Sequence, residues 1–226
     1  MYAQGCNIDY DAKYQANATL FGKEIPWDNR SKEDMIKEAL EVSKNADVIL
    51  AVIGEGAEMS GESSSRSKLD LTQSQKDLIN ELKKTGKPIV LVLFTGRPLV
   101  ITDENENFPA ILNVWFPGSE AGLSIADVLF GDVNPSGKLT STWPRNVGQI
   151  PIFYSHKNTG RSLSDAKVAD CEFEKFKSNY LDICNTPLYS FGYGLSYTQF
   201  TYSKVELSNS IMTADSKIQV SVAVTN

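Results

Sequence analysis

Histidine is nearly absent: one residue, His156, stands alone in 226. A hydrolase built on a serine or cysteine nucleophile needs an imidazole or comparable base beside it. The chain supplies no matching elbow, because Gly61-Glu62-Ser63-Ser64-Ser65 lacks the closing glycine of G-x-S-x-G. His156 reads as a packing or hydrogen-bonding residue. Cysteine is also scarce: Cys6, Cys171 and Cys184 are the three present, with no C-x-x-C pair. That count argues against a zinc site and against a disulfide framework. It favours three free thiols, with a Cys171–Cys184 bridge as the alternative because both lie in one polar segment. Positive charge is short as well. The formal net charge is -6, and no basic stripe alternates with aromatics. Nucleic acid is therefore not an expected partner. No apolar stretch approaches the ~20 residues that cross a bilayer. No charged and then apolar leader follows Met1, so the reading expects either a cytoplasmic chain or a missing N-terminus. Gly54-Glu55-Gly56 lacks the third glycine of a phosphate-binding fingerprint and puts an acid where a phosphate would sit.

What the chain does contain is alternation of buried strands and helices. Residues 1–30 read as a short strand, Met1 to Gly5, and then a polar loop. Ser31 reads as a helix N-cap, with Glu33 and Asp34 in the first turn. Met35, Ile36, Ala39 and Leu40 recur at helical spacing and Asn45 closes that helix. Ala46 to Ile53 is an almost continuous apolar run, the pattern of a strand covered on both faces in a parallel sheet. Thr72 starts the next helix, with Gln75 in capping-box position. Lys87 to Phe94 and Pro109 to Phe116 read as two more strands, with a helical turn between Val100 and Asn107. A helix capped by Ser119 runs to Leu129 and stops at Gly131. Strand and helix in this order predict a parallel α/β sheet. Residues 138–190 carry no long period. From Thr201, Tyr202, Val205, Leu207, Ile218, Val220, Val222 and Val224 suggest antiparallel strands.

The first strand empties into "GEGAEMSGESSSRSKLDL", which begins at Gly54. Loops at strand ends carry function more often than cores do. Its glutamates, Glu55, Glu58 and Glu62, are the candidate acids. Taken alone, each reads as a solvated loop carboxylate. Arg66 is the nearest cation, able to bind a sugar hydroxyl or, the favoured role, to hold the loop by pairing with Asp70 or a glutamate. Met59 has two readings, a cover for a sugar face or a filler of a packing gap.

The stretches "ADVILAVIGE", "GESSSRSKLDLTQSQKDLI", "GKPIVLVLFTGRPL", "VWFPGSEAGLSIADVLFGDVNPSGKLTSTWPR", "VGQIPIFYSHKNTGR" and "PLYSFGYGLSYTQF" follow one another along the chain. Together they resemble the C-terminal part of glycoside hydrolase family 3 enzymes of the periplasmic β-glucosidase type. The resemblance implies a three-layer αβα sandwich with a mostly parallel sheet over residues 1–190, lacking its first elements. It implies a linker at 191–200 and then, over 201–226, the first strands of an incomplete β-sandwich of fibronectin type III-like kind. "FGYGLSY" reads as a turn-rich linker whose aromatics bury against the α/β domain.

By the same resemblance the chain is part of a retaining β-glycosidase acting on β-glucosides or short oligosaccharides. Such enzymes work with two carboxyls ~5–5.5 Å apart, one a nucleophile and the other a general acid and then base. The resemblance places the nucleophilic aspartate on a barrel domain absent from this chain and the acid/base on the loop, at Glu62. Met59 and Arg66 become candidate sugar contacts. No cofactor and no metal is implied, the location is periplasmic or secreted, and the chain alone is expected to be inactive. The alternative is a non-catalytic carbohydrate-binding or scaffolding domain.

Overall fold

The computed structural model describes residues 1–19 and 25–226. It opens with a coil and a short helix, α1 (Ala12–Ala18), capped by the Asp11 carboxylate, which accepts from the Lys13 N–H at 2.9 Å. The strand expected at Met1 to Gly5 is not formed, because no neighbouring strand pairs with that segment. Instead the N-terminal coil is tied to the segment around Thr72, as Ile8 O accepts from the hydroxyls of Thr72 and Ser74.

α2 (Lys32–Ser43) begins as its sequence dictates: the Ser31 hydroxyl accepts from the Asp34 N–H at 3.1 Å, and Glu33 and Asp34 face the positive end of the helix dipole. Three strands follow in one parallel sheet, β1 (Ile49–Gly54), β2 (Ile89–Phe94) and β3 (Ala110–Asn113), in the order β1-β2-β3. α3 (Gln73–Lys83) connects the first two and α4 (Thr102–Asn107) the last two. α5 (Ala121–Phe130) leaves β3 and ends at Gly131 with φ 85°, a left-handed turn that glycine enters without a side-chain clash. The α/β architecture read from the sequence is the one observed.

The core lies on one face of the sheet. Ile36 and Ala39 of α2 and Leu78, Ile79 and Leu82 of α3 pack on Ala51 and Ile53 of β1 and on the fully buried Leu91 and Leu93 of β2. Each of the leucines and isoleucines contributes roughly 1.5–3 kcal/mol by leaving water. The other face departs from expectation. Val48, just before β1, and the alternate residues Leu50 and Val52 within it are exposed at 47%, 44% and 63%. Among the described residues β1 is therefore covered on one face, not on both. Among them it is also an edge strand: Ile49 and Glu55 turn their N–H groups toward β2, so the backbone groups of Leu50 and Val52 point outward.

Residues 138–190 form a layer without long elements, knitted by side chains. Trp143 is 1% exposed and meets Tyr189 edge-on at 6.3 Å, while Arg145 and Gln149 donate to the carbonyl of Thr186. Cys171 and Cys184 are bridged, with their Cα atoms 4.7 Å apart. The bridge corrects the reading of three free thiols; the turns between them, with Cys171 and Phe176 at positive φ, bring the two sulfurs together. The aromatics of "FGYGLSY" do not bury as expected. Phe191, Tyr193 and Tyr197 are 49%, 43% and 61% exposed: Phe191 meets Tyr154 and Tyr193 stacks on Tyr189 at the surface, and the Tyr197 hydroxyl donates to Val128 O at 2.7 Å.

The C-terminal segment is a ribbon of two antiparallel pairs: β4 (Thr201–Tyr202) with β7 (Val224–Thr225), and β5 (Glu206–Leu207) with β6 (Val220–Ser221). Tyr202 faces Val224 and Leu207 faces Val220, so one side uses a residue more than the other between these pairs. That bulge explains how Tyr202 and Leu207, five positions apart, share a face with Val220 and Val224.

Candidate functional site

The loop after β1 starts under tight steric control. Gly54 has φ 136°, and a Cβ there would lie 2.0 Å from the Phe94 carbonyl, so only glycine fits. The Glu55 N–H then donates to that carbonyl at 2.7 Å, extending the ladder by one bond. Gln75 fixes the same point from α3, its amide bonded to both the N–H and the C=O of Gly54 at 2.9 and 2.8 Å. The expected capping box at Thr72 and Gln75 is absent, because the Thr72 hydroxyl turns to Ile8 and the Gln75 amide to Gly54.

Three glutamates follow with three different surroundings. Glu55 has a side chain 1% exposed. It pairs with Arg66 Nη1 at 2.7 Å, accepts from the Gly96 N–H at 3.0 Å and has Arg97 Nε 3.6 Å away. Glu58 stands exposed in a short 3-10 turn, Ala57–Met59. Glu62 is exposed at the tip, between Gly61 (φ 130°) and Ser63 (φ 60°). A left-handed serine costs about 1–2 kcal/mol, and bonds from the Ser64 N–H to Gly61 O (3.3 Å) and from the Ser64 hydroxyl to Glu62 O (3.2 Å) hold the turn.

Met59 is 4% exposed, and its sulfur accepts from the Gly56 N–H at 3.2 Å. It occupies the gap-filling position, with the thioether turned into the loop's base. The Arg66 guanidinium is engaged by Glu55 and by the Asp70 carbonyl at 3.0 Å. Asp70 in turn pairs with Lys76. Burial is the largest single influence on the Asp70 carboxyl and pushes it up, but the hydrogen bond and charge of Lys76, a backbone hydrogen bond and the Arg66 charge together leave the group below its ordinary value. His156 is exposed, so the packing role expected of it is not seen.

One residue of the site carried no assignment in the sequence. Arg97, three residues past β2, sends Nη2 to the carbonyls of Met59 (2.8 Å) and Ser64 (2.7 Å), on the two arms of the loop. A lone cation straight after a buried strand, within "FTGRPL", was the available signal. Arg66 and Arg97 also line an open groove of about 530 Å³, together with Thr142, Phe153, Tyr154 and Phe191. The groove adjoins the C-terminal ends of β1 and β2, the side where open α/β sheets bind ligands. Among the described residues, no cluster of three or more His, Cys, Asp or Glu side chains is arranged to hold a metal. The chemistry available is that of an exposed carboxyl on a loop clamped at its base beside a polar and aromatic groove.

Comparison with known proteins adds to this geometry. The model of the glycosyl hydrolase family 3 C-terminal domain matches residues 5–197. The periplasmic beta-glucosidase of Salmonella typhimurium is 51% identical over all of this chain and 29% of its own length. A beta-xylosidase of Formosa agariphila is 39% identical, over 100% of this chain and 27% of its own. Among solved structures, the beta-glucosidase of Listeria innocua in complex with glucose superposes with a TM-score of 0.73 at 40% identity, covering 80% of this chain and 24% of that one. A beta-glucosidase of Erythrobacter marinus gives a TM-score of 0.76 at 36% identity, over 99% of this chain and 29% of that one. The chain thus spans less than a third of the length of these relatives.

Proposed function

Because the chain belongs to the glycosyl hydrolase family 3 C-terminal domain family, we propose that it is the acid-supplying α/β part of a longer retaining β-glycosidase. Glu62 is the general acid and base. It protonates the glycosidic oxygen as the bond to the leaving group breaks. It then takes a proton from the water that attacks the sugar–enzyme intermediate. The nucleophilic carboxylate comes from polypeptide outside residues 1–226, on a barrel domain, so these residues alone do not turn over substrate. Terminal β-linked glucose or xylose is the substrate class, in line with the names of the relatives.

The observation that carries the assignment is the division of labour among the loop acids. Glu55 is committed to an ion pair inside the fold, whereas Glu62 is carried outward at the apex between two positive-φ residues. Arg66 and Arg97 line one wall of the groove that receives the sugar or its aglycone. The Cys171–Cys184 bridge supports a periplasmic or secreted location, since such bonds persist in oxidising compartments. The terminal ribbon is the opening of a fibronectin type III-like domain.

In the full-length enzyme, Glu62→Ala should lower kcat/KM on alkyl β-glucosides by about 10²–10⁴-fold, the range of general-acid catalysis. Added azide should restore turnover of an activated aryl glucoside as the glycosyl azide. Glu58→Ala should leave both nearly unchanged. Unaltered cleavage of alkyl glucosides by Glu62→Ala would overturn the assignment.

A further inference from the structure

We propose that Arg97 is a positioning residue for this reaction, acting as the clasp that closes residues 59–64 and sets where the Glu62 carboxyl stands. The proposal rests on Glu62 being the acid. A proton is transferred well only over a heavy-atom distance of about 2.6–3.2 Å. At the tip itself packing is sparse: an added Cβ on Gly61 would meet nothing within 4 Å, and Glu62 and Ser63 are exposed. The bonds of Ser64 shape the turn locally, and Arg97 ties it to the body of the fold. Its single Nη2 reaches Met59 O and Ser64 O, the carbonyls on either side of the tip, so one nitrogen joins both arms.

The clasp is mounted on rigid backbone. Thr95 and Leu99, which flank it, are both fully buried, and the Val100 N–H is bonded to Leu69 O at 2.8 Å. The loop rests directly on this segment, because a Cβ on Gly96 would lie 2.2 Å from the Ser60 hydroxyl. The guanidinium is also held in place at some cost to itself. Among the described residues Arg97 Nε has no hydrogen-bond partner although it is buried, and Glu55 Oε1 lies 3.6 Å from it. The side chain is thus placed for the two carbonyls and the nearby carboxylate rather than for its own complete satisfaction. An arginine that served only to fill the surface would turn Nε to water.

The test is leaving-group selectivity in the full-length enzyme. Departure of 2,4-dinitrophenolate needs no proton, whereas departure of an alkoxide does. Arg97→Met should lower kcat/KM, which reports the leaving-group step, for an alkyl β-glucoside by about 10²-fold, the scale of a 1 Å misplacement of a catalytic group, with less than about 3-fold loss of kcat/KM on the dinitrophenyl glucoside. Arg97→Lys, which keeps a donor near the two carbonyls, should recover part of the loss. If Arg97 served stability alone, both substrates would decline together with the folded fraction. Equal losses on the two substrates overturn the proposal. So does a selective loss that persists in full when Arg97→Met is added to Glu62→Ala, since residues acting through one another do not add. If Glu62→Ala itself shows no selective loss, the acid assignment is what fails, and the clasp fails with it.

Discussion

The Gln75 side chain stands where a neighbouring strand would stand for Gly54. Its Oε1 accepts from the Gly54 N–H and its Nε2 donates to the Gly54 carbonyl, at 2.9 and 2.8 Å, all of it buried. The bond pair ties α3 to the outer edge of β1 at the residue from which the loop departs.

Gln75→Leu keeps the volume and removes both bonds, leaving a buried N–H and a buried C=O unpaired. Each costs about 1–3 kcal/mol, so the variant should lose at least about 2 kcal/mol of stability. Urea unfolding followed by far-UV circular dichroism measures it. A change below about 0.5 kcal/mol would mean that water replaces the amide.

Glu104 is 4% exposed in the first turn of α4. Burial pushes its carboxyl above the ordinary value of 4.5, with Asp103 and Asp70 adding to the rise and Lys76 opposing it. A carboxyl raised on folding binds its proton more tightly in the native state, so stability falls as pH climbs past the unfolded value. The loss is complete once pH exceeds the folded one. Glu104→Gln should therefore raise the melting temperature at pH 7 and make little difference at pH 4. Thermal melts of both proteins at the two pH values decide it; a variant less stable at pH 7 would contradict the sign.

Burial pushes the Cys6 thiol up to about 12, and thiolate is the reactive form. With Cys171 and Cys184 bridged, the native chain should react very slowly with a disulfide reagent at pH 8. It should yield one thiol per chain in denaturant and three after reduction. Three thiols in denaturant without reductant would remove the bridge.

Elements whose signals are local were legible in the sequence. α2 announces itself through the Ser31 cap and a helical apolar period, and β2 through an unbroken apolar run. α1 was missed because its buried face is polar: Gln15, 2% exposed, accepts from the Ile8 N–H and donates to the Ile25 carbonyl. No period reports a glutamine that faces inward. Gln75 misled for the related reason that its position three residues after Thr72 fits a capping box, yet a distant backbone offered it two bonds instead of one. The open face of β1 was hidden as well, since an apolar run says what a strand tolerates and not what lies against it. At the site, the glutamates were legible but not their ranking. Glu62 was singled out by resemblance, and the burial of Glu55 against Arg66 emerges only from the folded loop.

Among the described residues, Val48 at the entry to β1 and Leu50 and Val52 within it form a greasy flank directly beside ladder groups that point away from the sheet. Such a border is a template on which another extended strand can pair. Prepared as a separate polypeptide, these residues will tend to stick to one another, and charge placed at Leu50 or Val52 is the remedy the geometry recommends.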